Sequence, residues 1–151
     1  MTEQQYELPG LALTPTGRIK KPKATRPPKE SDEQTILFKY LWGVKRLSLC
    51  YSTQNGVKIG GDRKFGIIAQ MKKTGLKKGI PDICIPYARG GFHGLYIEMK
   101  RQKGGVISDD QHQIAECLRA EGYKSVFCKG FEDAKKVVDD YFLKQPSEMP
   151  F

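Results

Sequence analysis

The sequence predicts an α/β domain, with a central mixed β-sheet flanked by helices in the order α-β-α-β-β-α-β-α. Four segments repeat apolar residues at helical spacing, and four shorter apolar runs have the character of strands. Turn-forming glycines and prolines separate these segments. The length of 151 residues suits one domain with a buried core and is too short for two.

The charge of the chain indicates its class of partner. Its 26 lysines and arginines exceed its 17 aspartates and glutamates, which gives a net charge of +9. A positive field attracts polyanions, so nucleic acid is the first partner to consider. No stretch has the roughly 20 apolar residues of a membrane helix, and the N-terminus lacks a signal-peptide pattern. We therefore expect a cytosolic protein that does not associate with a membrane.

The cysteines do not predict a metal site or a disulfide framework. They are far apart and form no Cys-x-x-Cys pair. We expect buried free thiols at all four positions, which are Cys50, Cys84, Cys117 and Cys128.

Composition divides the chain into an arm, a domain and a tail. Residues 1–29 carry five prolines among basic residues and little apolar periodicity, so we expect a flexible basic arm. Contact with a DNA backbone and simple solvation of this arm both remain open. The domain is expected at residues 30–144 and a short tail at residues 145–151.

The first helix is predicted to begin at Ser31, which suits an N-cap with Gln34 three positions later. Glu33 falls on its apolar face, so the Glu33 carboxylate is expected to point inward. The helix dipole also favours an acid in the first turn, which is a purely structural explanation for Glu33. The apolar face comprises Ile36, Leu37, Tyr40, Leu41 and Val44.

A short strand and a basic helix are predicted next. Leu47, Leu49 and Tyr51 alternate with polar residues, and Asn55-Gly56 and Gly60-Gly61 indicate turns. The second helix is expected over residues 62–74, with apolar Phe65, Ile67, Ile68 and Met71. We expect the densest basic group of the ordered chain to contact DNA, namely Arg63, Lys64, Lys72, Lys73, Lys77 and Lys78.

Two apolar runs joined by a glycine-rich loop, GIPDICIPYARGGFHGLYIEMKRQKGG, predict a β-hairpin. Successive side chains of a strand alternate between faces, so Glu98 and Lys100 project side by side, opposite Leu95, Ile97 and Met99. Asp82 follows Pro81 at the start of the first strand. The hairpin can therefore bring Asp82 next to Glu98.

Two carboxylates held close together repel each other unless a cation lies between them. Mg²⁺ is usually held by one or two carboxylates, waters and substrate phosphate oxygens, and it can activate a water for phosphodiester hydrolysis. Lys100 can stabilise charge on the reacting phosphate. Alternatively, Glu98 and Lys100 form an ordinary ion pair on a solvated strand, which is common for so short a motif.

Three further elements complete the chain. Ser108 is predicted to begin a helix through a capping box with Gln111, whose buried face has Ile114, Ala115 and Leu118. The capping role alone is sufficient reason for Gln111, and a catalytic role stays open. A strand over residues 124–128 precedes a final helix with Phe131, Ala134, Val137, Val138, Tyr141 and Phe142.

Three motifs resemble those of a known family. Gly79-Ile80-Pro81-Asp82, Ile97-Glu98-Met99-Lys100 and Ser108-x-x-Gln111 look like the signature of the virus-type replication-repair nuclease (VRR-NUC) domain, of the PD-(D/E)XK nuclease superfamily. The resemblance spans about residues 31 to 143. Such domains occur at the C-terminus of eukaryotic repair nucleases and as small stand-alone proteins of bacteria and their viruses. The chain looks like the stand-alone form, which is associated with cutting branched DNA, including four-way junctions.

The resemblance implies a role for each site residue. Asp82 and Glu98 are the implied ligands of Mg²⁺ or Mn²⁺, together with the backbone carbonyl of Met99. Lys100 positions or deprotonates the attacking water, or stabilises the charged phosphate, and Gln111 lies beside it. Glu33 joins the metal site directly or through water.

The sequence therefore predicts a Mg²⁺- or Mn²⁺-dependent deoxyribonuclease that acts on branched DNA such as four-way junctions. Because one chain offers one cutting centre and a junction needs two symmetric nicks, we expect a homodimer. A non-catalytic nucleic-acid-binding module is the alternative from another class. A flap nuclease and a sequence-specific restriction-type nuclease are alternatives with the same chemistry.

Overall fold

The computed structural model of the chain describes residues 28–53, 60–61 and 63–147. Its element order is the predicted one. The elements are α1 (Glu30–Lys39), a π-helical turn (Tyr40–Val44), β1 (Tyr51–Ser52), α2 (Lys64–Lys73), β2 (Ile83–Ile85), β3 (Leu95–Lys100), α3 (Asp109–Ala120), β4 (Lys124–Lys129) and α4 (Gly130–Phe142).

The four strands form one mixed sheet in the order β1-β2-β3-β4, which confirms the predicted fold class. The β1–β2 and β2–β3 pairs are antiparallel, although α2 lies between β1 and β2 in sequence, whereas α3 crosses between β3 and β4 and makes that pair parallel. In this register Ile97 lies between Ile83 of β2 and Val126 of β4. The hairpin therefore places β3 in the interior of the sheet.

Side-chain alternation along β3 separates the core from the opposite face. Leu95, Ile97 and Met99 are fully buried, and α1 and α4 pack on their side of the sheet. The helices contribute further fully buried side chains to this core, namely Leu37, Leu41, Ala134, Val138 and Tyr141. The apolar periods of both helices and of β3 therefore converge on one core.

The start of α1 differs from the prediction. The backbone nitrogens of Asp32 and Glu33 donate to the Lys29 carbonyl, so the helix begins at Glu30 and Lys29 is its N-cap. Ser31 is inside the first turn, where its carbonyl accepts a hydrogen bond from Thr35 Oγ1 over 2.8 Å. The expected N-cap at Ser31 was wrong by two residues, because the cap is made by backbone and not by a side chain.

The apolar face of α1 is also narrower than predicted. Leu37 and Leu41 are buried, but Ile36 and Val44 are 45% and 70% exposed. The helix changes to π-helical geometry from Tyr40, which rotates Val44 away from the face that α1 presents to the core. Phe38 is buried in their place.

The strand predicted around Leu47, Leu49 and Tyr51 is reduced to Tyr51–Ser52. Leu47 donates its backbone N–H to the Leu41 carbonyl over 2.9 Å, and its carbonyl accepts from Cys50 over 3.3 Å. These bonds form a turn at the end of the π-helical segment. Leu47 is buried there, whereas Leu49 and Tyr51 are exposed. The apolar alternation at Leu47 and Leu49 therefore belongs to a turn, and only Tyr51 lies in a strand.

The second helix is present, but none of its residues is buried. Phe65 is 73% exposed and Ile67 is 44% exposed, so its apolar residues do not face the core.

Cys50, Cys84 and Cys128 are buried, whereas Cys117 on α3 is exposed, contrary to the expectation. The basic arm, except for residues 28 and 29, and the turn at Asn55-Gly56 lie outside the described residues. No helix in the described ranges is long and apolar enough to span a membrane.

Candidate active site

The hairpin and the helix that follows it enclose a cavity of about 250 Å³. Asp82, Glu98, Lys100 and Gln111 all line it, so the structure brings together four of the five predicted catalytic residues. The other lining residues are Glu30, Lys78, Gly79, Ile80 and Ser108. The cavity therefore collects residues from α1, from the β2–β3 hairpin and its preceding loop, and from the start of α3.

Asp82 is fixed by the neighbouring strand. Its Oδ2 accepts a hydrogen bond from the backbone nitrogen of Met99 over 2.8 Å, and its own carbonyl accepts one from Thr53 over 2.8 Å. Burial raises the pKa of Asp82 above its usual value, against the opposing effects of the Met99 N–H and of Lys100. Asp82 is thus held in one position beside β3 by backbone bonds.

Glu98 and Lys100 form a buried pair on the even-numbered face of β3. Lys100 Nζ lies 2.8 Å from Glu98 Oε1, and the residues are 9% and 4% exposed. Burial raises the pKa of Glu98 to about 7, and the charge of Asp82 acts in the same direction, while Lys100 opposes it. The pair is therefore not the solvated strand pair that the alternative interpretation required.

Gln111 combines the two roles that the sequence analysis set against each other. Its backbone nitrogen donates to Ser108 Oγ over 3.3 Å and its Oε1 accepts from the Ser108 nitrogen over 3.0 Å, which is a complete capping box. The same Oε1 accepts from Lys100 Nζ over 3.0 Å, and Nε2 donates to Glu98 Oε1. The cap of α3 therefore orients the amide toward Glu98 and Lys100.

A close backbone approach holds α3 against the loop before β2. Gly79 has a φ of +86°, and a Cβ atom built there would lie 2.6 Å from the carbonyl oxygen of Asp110. Lys78, next to it, forms an ion pair with the Asp110 carboxylate. Only glycine allows this distance between the Asp82 loop and the first turn of α3.

Glu33 points inward as predicted but does not line the cavity. It is 5% exposed, its Oε1 accepts from Gln102 Nε2 over 2.6 Å, and its Oε2 accepts from the Phe131 backbone nitrogen over 2.6 Å. Phe131 lies in the first turn of α4, where free N–H groups and the helix dipole favour a carboxylate. Glu33 therefore joins α1 to α4 through one oxygen and to the segment after β3 through the other.

Glu30 is the acid of α1 that faces the cavity, and it was not among the predicted site residues. Its charge raises the pKa values of both Asp82 and Glu98, although burial is the larger cause for each. Its spacing of three from Glu33, which places both on one side of a helix, could have indicated it. A cap at Ser31 would leave Glu30 outside the helix, whereas α1 begins at Glu30.

The predicted DNA-binding residues are separate from the cavity, with one exception. Arg63, Lys64, Lys72, Lys73 and Lys77 are exposed on or beside α2, and only Lys78 lines the cavity. Their contact with DNA remains a prediction.

The side chains at the cavity suit a magnesium-type ion. Asp82 and Glu98 offer carboxylate oxygens whose raised pKa values show that negative charge is disfavoured there, and a divalent cation would relieve that. Within residues 28–53, 60–61 and 63–147, no group of three or more His, Cys, Asp and Glu side chains is arranged to hold a metal. Mg²⁺ does not need such a group, because it keeps several waters and uses one or two carboxylates.

A mixed sheet whose central hairpin carries Asp82, Glu98 and Lys100 is consistent with the core of PD-(D/E)XK-type nucleases. The family model of the VRR-NUC domain matches residues 52–132. The chain belongs to the VRR-NUC domain family, which is a nuclease-type family whose members generally depend on a metal ion. The matched range contains Asp82, Glu98, Lys100 and Gln111 but not α1.

A solved structure supports the same assignment. The chain is similar to a protein described as a VRR_NUC domain protein, with 26% identity and a TM-score of 0.63, over 82% of this chain and 95% of that one. No curated protein matches the chain.

The separation of Glu33 from Glu30 predicts different effects on stability. Glu33→Ala leaves the Phe131 N–H and the Gln102 amide without their acceptor and should lower the free energy of unfolding by about 1–3 kcal/mol. Glu30→Ala, the control from the same helix, should lower it by no more than about 0.5 kcal/mol. Urea denaturation followed by circular dichroism measures both. Equal losses of stability in the two variants would contradict the assignment of Glu33 as the residue that links α1 to α4.

Proposed function

We propose that the protein is a metal-dependent DNA endonuclease that hydrolyses phosphodiester bonds at the cavity formed by the hairpin and α3. The observation that carries the proposal is the joining of Glu98, Lys100 and Gln111 by hydrogen bonds in the cavity that Asp82 also lines. Membership of a nuclease-type family supports this chemistry over simple DNA binding.

Mg²⁺ or Mn²⁺ would be held by Asp82 and Glu98, with the Met99 backbone carbonyl as the third protein ligand that the family resemblance implies. The ion would supply Lewis-acid activation of a water and neutralise charge on the phosphate. Glu30 is better placed than Glu33 to support the ion through water, because Glu30 lines the cavity.

Lys100 is held ready for the reaction by its two partners. An ammonium group has three N–H donors, and Glu98 and Gln111 accept two of them. The remaining donor can orient the attacking water or bind a phosphate oxygen. Burial strengthens this interaction, because charges attract more strongly where water is excluded.

Removing either carboxylate should separate cleavage from binding. We expect Asp82→Asn and Glu98→Gln to abolish cleavage of labelled branched DNA, because each removes a metal ligand. DNA affinity should remain nearly unchanged, since phosphate attraction does not depend on these acids. Lys100→Ala should behave similarly, with cleavage lowered by orders of magnitude. Nuclease and gel-shift assays measure the two properties.

Glu116→Gln is the matched control, because Glu116 is an exposed acid on α3. It should leave both properties unchanged. Full cleavage by either carboxylate variant would refute the assigned site. Tight DNA binding without cleavage by the unaltered protein, with Mg²⁺ or Mn²⁺ present, would favour the non-catalytic module.

Metal binding should release a proton near neutral pH. A Glu98 carboxyl with a pKa of about 7 is half protonated at pH 7, and the ion must displace that proton. Apparent Mn²⁺ affinity should therefore fall as the pH drops below 7, by up to about tenfold per unit, and level off above it. Calorimetry in buffers of different ionisation enthalpy counts the protons. Proton release that persists in Glu98→Gln, or affinity that is constant between pH 6 and 8, would contradict this.

Branched DNA, in particular the four-way junction, is the substrate we propose, cut by a homodimer. One chain contains one Asp82, Glu98 and Lys100 set, whereas resolving a junction requires two symmetric nicks on opposing strands. Closed two-fold symmetry is the commonest arrangement of soluble oligomers and matches the approximate symmetry of a junction. The exposed basic group on and after α2 would bind the arms without reading sequence.

Light scattering and a cruciform-plasmid assay together test this proposal. We expect a dimeric mass and paired nicks made within one binding event. A monomeric mass with uncoupled single nicks would overturn the dimer and move the preferred substrate to flaps.

A further inference from the structure

A second groove runs along the outer side of α1, with a volume of about 510 Å³. Phe38 and Trp42 form its aromatic wall, with ring centroids 4.7 Å apart. Trp42 is 54% exposed, yet its Nε1 donates to the Cys50 carbonyl over 3.1 Å, which fixes the orientation of the indole. An exposed aromatic ring held by a hydrogen bond and a second ring is a preformed surface for stacking.

The rest of the groove is polar or basic. Ser31, Gln34, Thr35 and Ser52 provide hydrogen-bonding groups along it, and Lys39 provides a positive charge. None of the described residues that line it is acidic. An occupant with a flat aromatic surface, polar edges and negative charge fits this lining, which is the chemistry of a nucleotide.

The groove lies next to the candidate active site. Ser31 follows Glu30, which lines the catalytic cavity, and Ser52 Oγ donates to the Asp82 carbonyl over 3.2 Å. Gln34 Nε2 in turn donates to Ser52 Oγ over 2.9 Å. With an α-helical rise of about 1.5 Å per residue, the eight steps from Ser31 to Lys39 span about 12 Å, and Trp42 lies beyond them in the π-helical turn. The groove therefore extends over a few base steps of a DNA strand, at about 3.4 Å per step.

We propose that this groove binds an unpaired nucleotide of the substrate DNA, with its base stacked on Trp42 and its phosphate near Lys39. A base inside a duplex cannot present its face to a side chain, so the groove selects DNA with unpaired nucleotides within a few steps of the cut. This inference rests on the proposed function and adds to it a criterion for choosing among branched substrates.

Trp42 is the only tryptophan of the chain, so its emission reports on this groove alone. The full-length protein is titrated, in EDTA to prevent cleavage, with two DNAs of equal length. One is a fully paired duplex and the other a fork with unpaired arms. The fork should quench Trp42 emission strongly and the duplex weakly. Equal quenching by both DNAs, or none by either, would overturn the proposal.

Substitutions test the same contact through affinity. Trp42→Ala should weaken fork binding by about fivefold or more and leave duplex binding unchanged, while Trp42→Phe should retain most of the preference. Leu143→Ala is the control, because Leu143 is 81% exposed after the end of α4 and lies outside the groove, and it should change neither. A fork preference that survives in Trp42→Ala would refute the proposal. Should Trp42→Ala fail to fold, Trp42→Phe and the emission measurement still decide.

The emission of Trp42 does not depend on catalysis. The nuclease proposal and the groove proposal can therefore be refuted independently. Quenching by the fork without any metal-dependent cleavage would support the groove and contradict the nuclease. Cleavage without selective quenching would contradict only the groove. Emission that changes on protein dilution and not with DNA would show that a second copy of the chain occupies the groove. That result would overturn the proposal that the groove binds a nucleotide.

Discussion

The alternation of side chains along β3 is the constraint on which both the core and the candidate site depend. Leu95, Ile97 and Met99 are fully buried on one side, and Glu98 and Lys100 occupy the other. A shift of the strand by one residue would exchange the two sets, placing charges in the apolar core. Hydrophobic burial therefore determines which way the side chains of the candidate site point. The hydrogen bond from the Met99 nitrogen to Asp82 holds this third side chain of the candidate site beside β3.

Burying the carboxyl groups of Asp82 and Glu98 close together costs free energy. Burial raises the pKa values of both Asp82 and Glu98, and for Glu98 the nearby negative charge of Asp82 adds to the effect. Lys100 offsets part of this cost, and the Gln111 amide satisfies the same carboxylate. Groups that a fold keeps in an unfavourable protonation balance are often those that bind a cation or react. The unfavourable burial of the Asp82 and Glu98 carboxyl groups therefore lies at the proposed metal site.

Helix α1 serves the fold and the candidate site through two acids one turn apart. Glu33 accepts from the Phe131 nitrogen and from Gln102, and so ties α1 to the start of α4. Glu30 lines the cavity of the candidate active site. Because these hydrogen bonds hold the first turn of α1 in place, they also help to position Glu30, three residues earlier, at the cavity. The π-helical turn that continues α1 carries Trp42, so this helical segment borders both the candidate active-site cavity and the proposed nucleotide groove.

The sequence by itself determined what depends on short-range periodicity. The period-two pattern of β3 predicted that Glu98 and Lys100 lie side by side, and the spacing of Ser108 and Gln111 predicted the capping box. Only the tertiary structure decided which helical acid reaches the cavity, where α1 begins, and that Leu47 belongs to a turn. Spacing indicated that Glu33 faces inward but not what it would meet, because its partner Phe131 is 98 residues away in sequence. Local patterns specify the face a side chain occupies, and long-range packing specifies its neighbours.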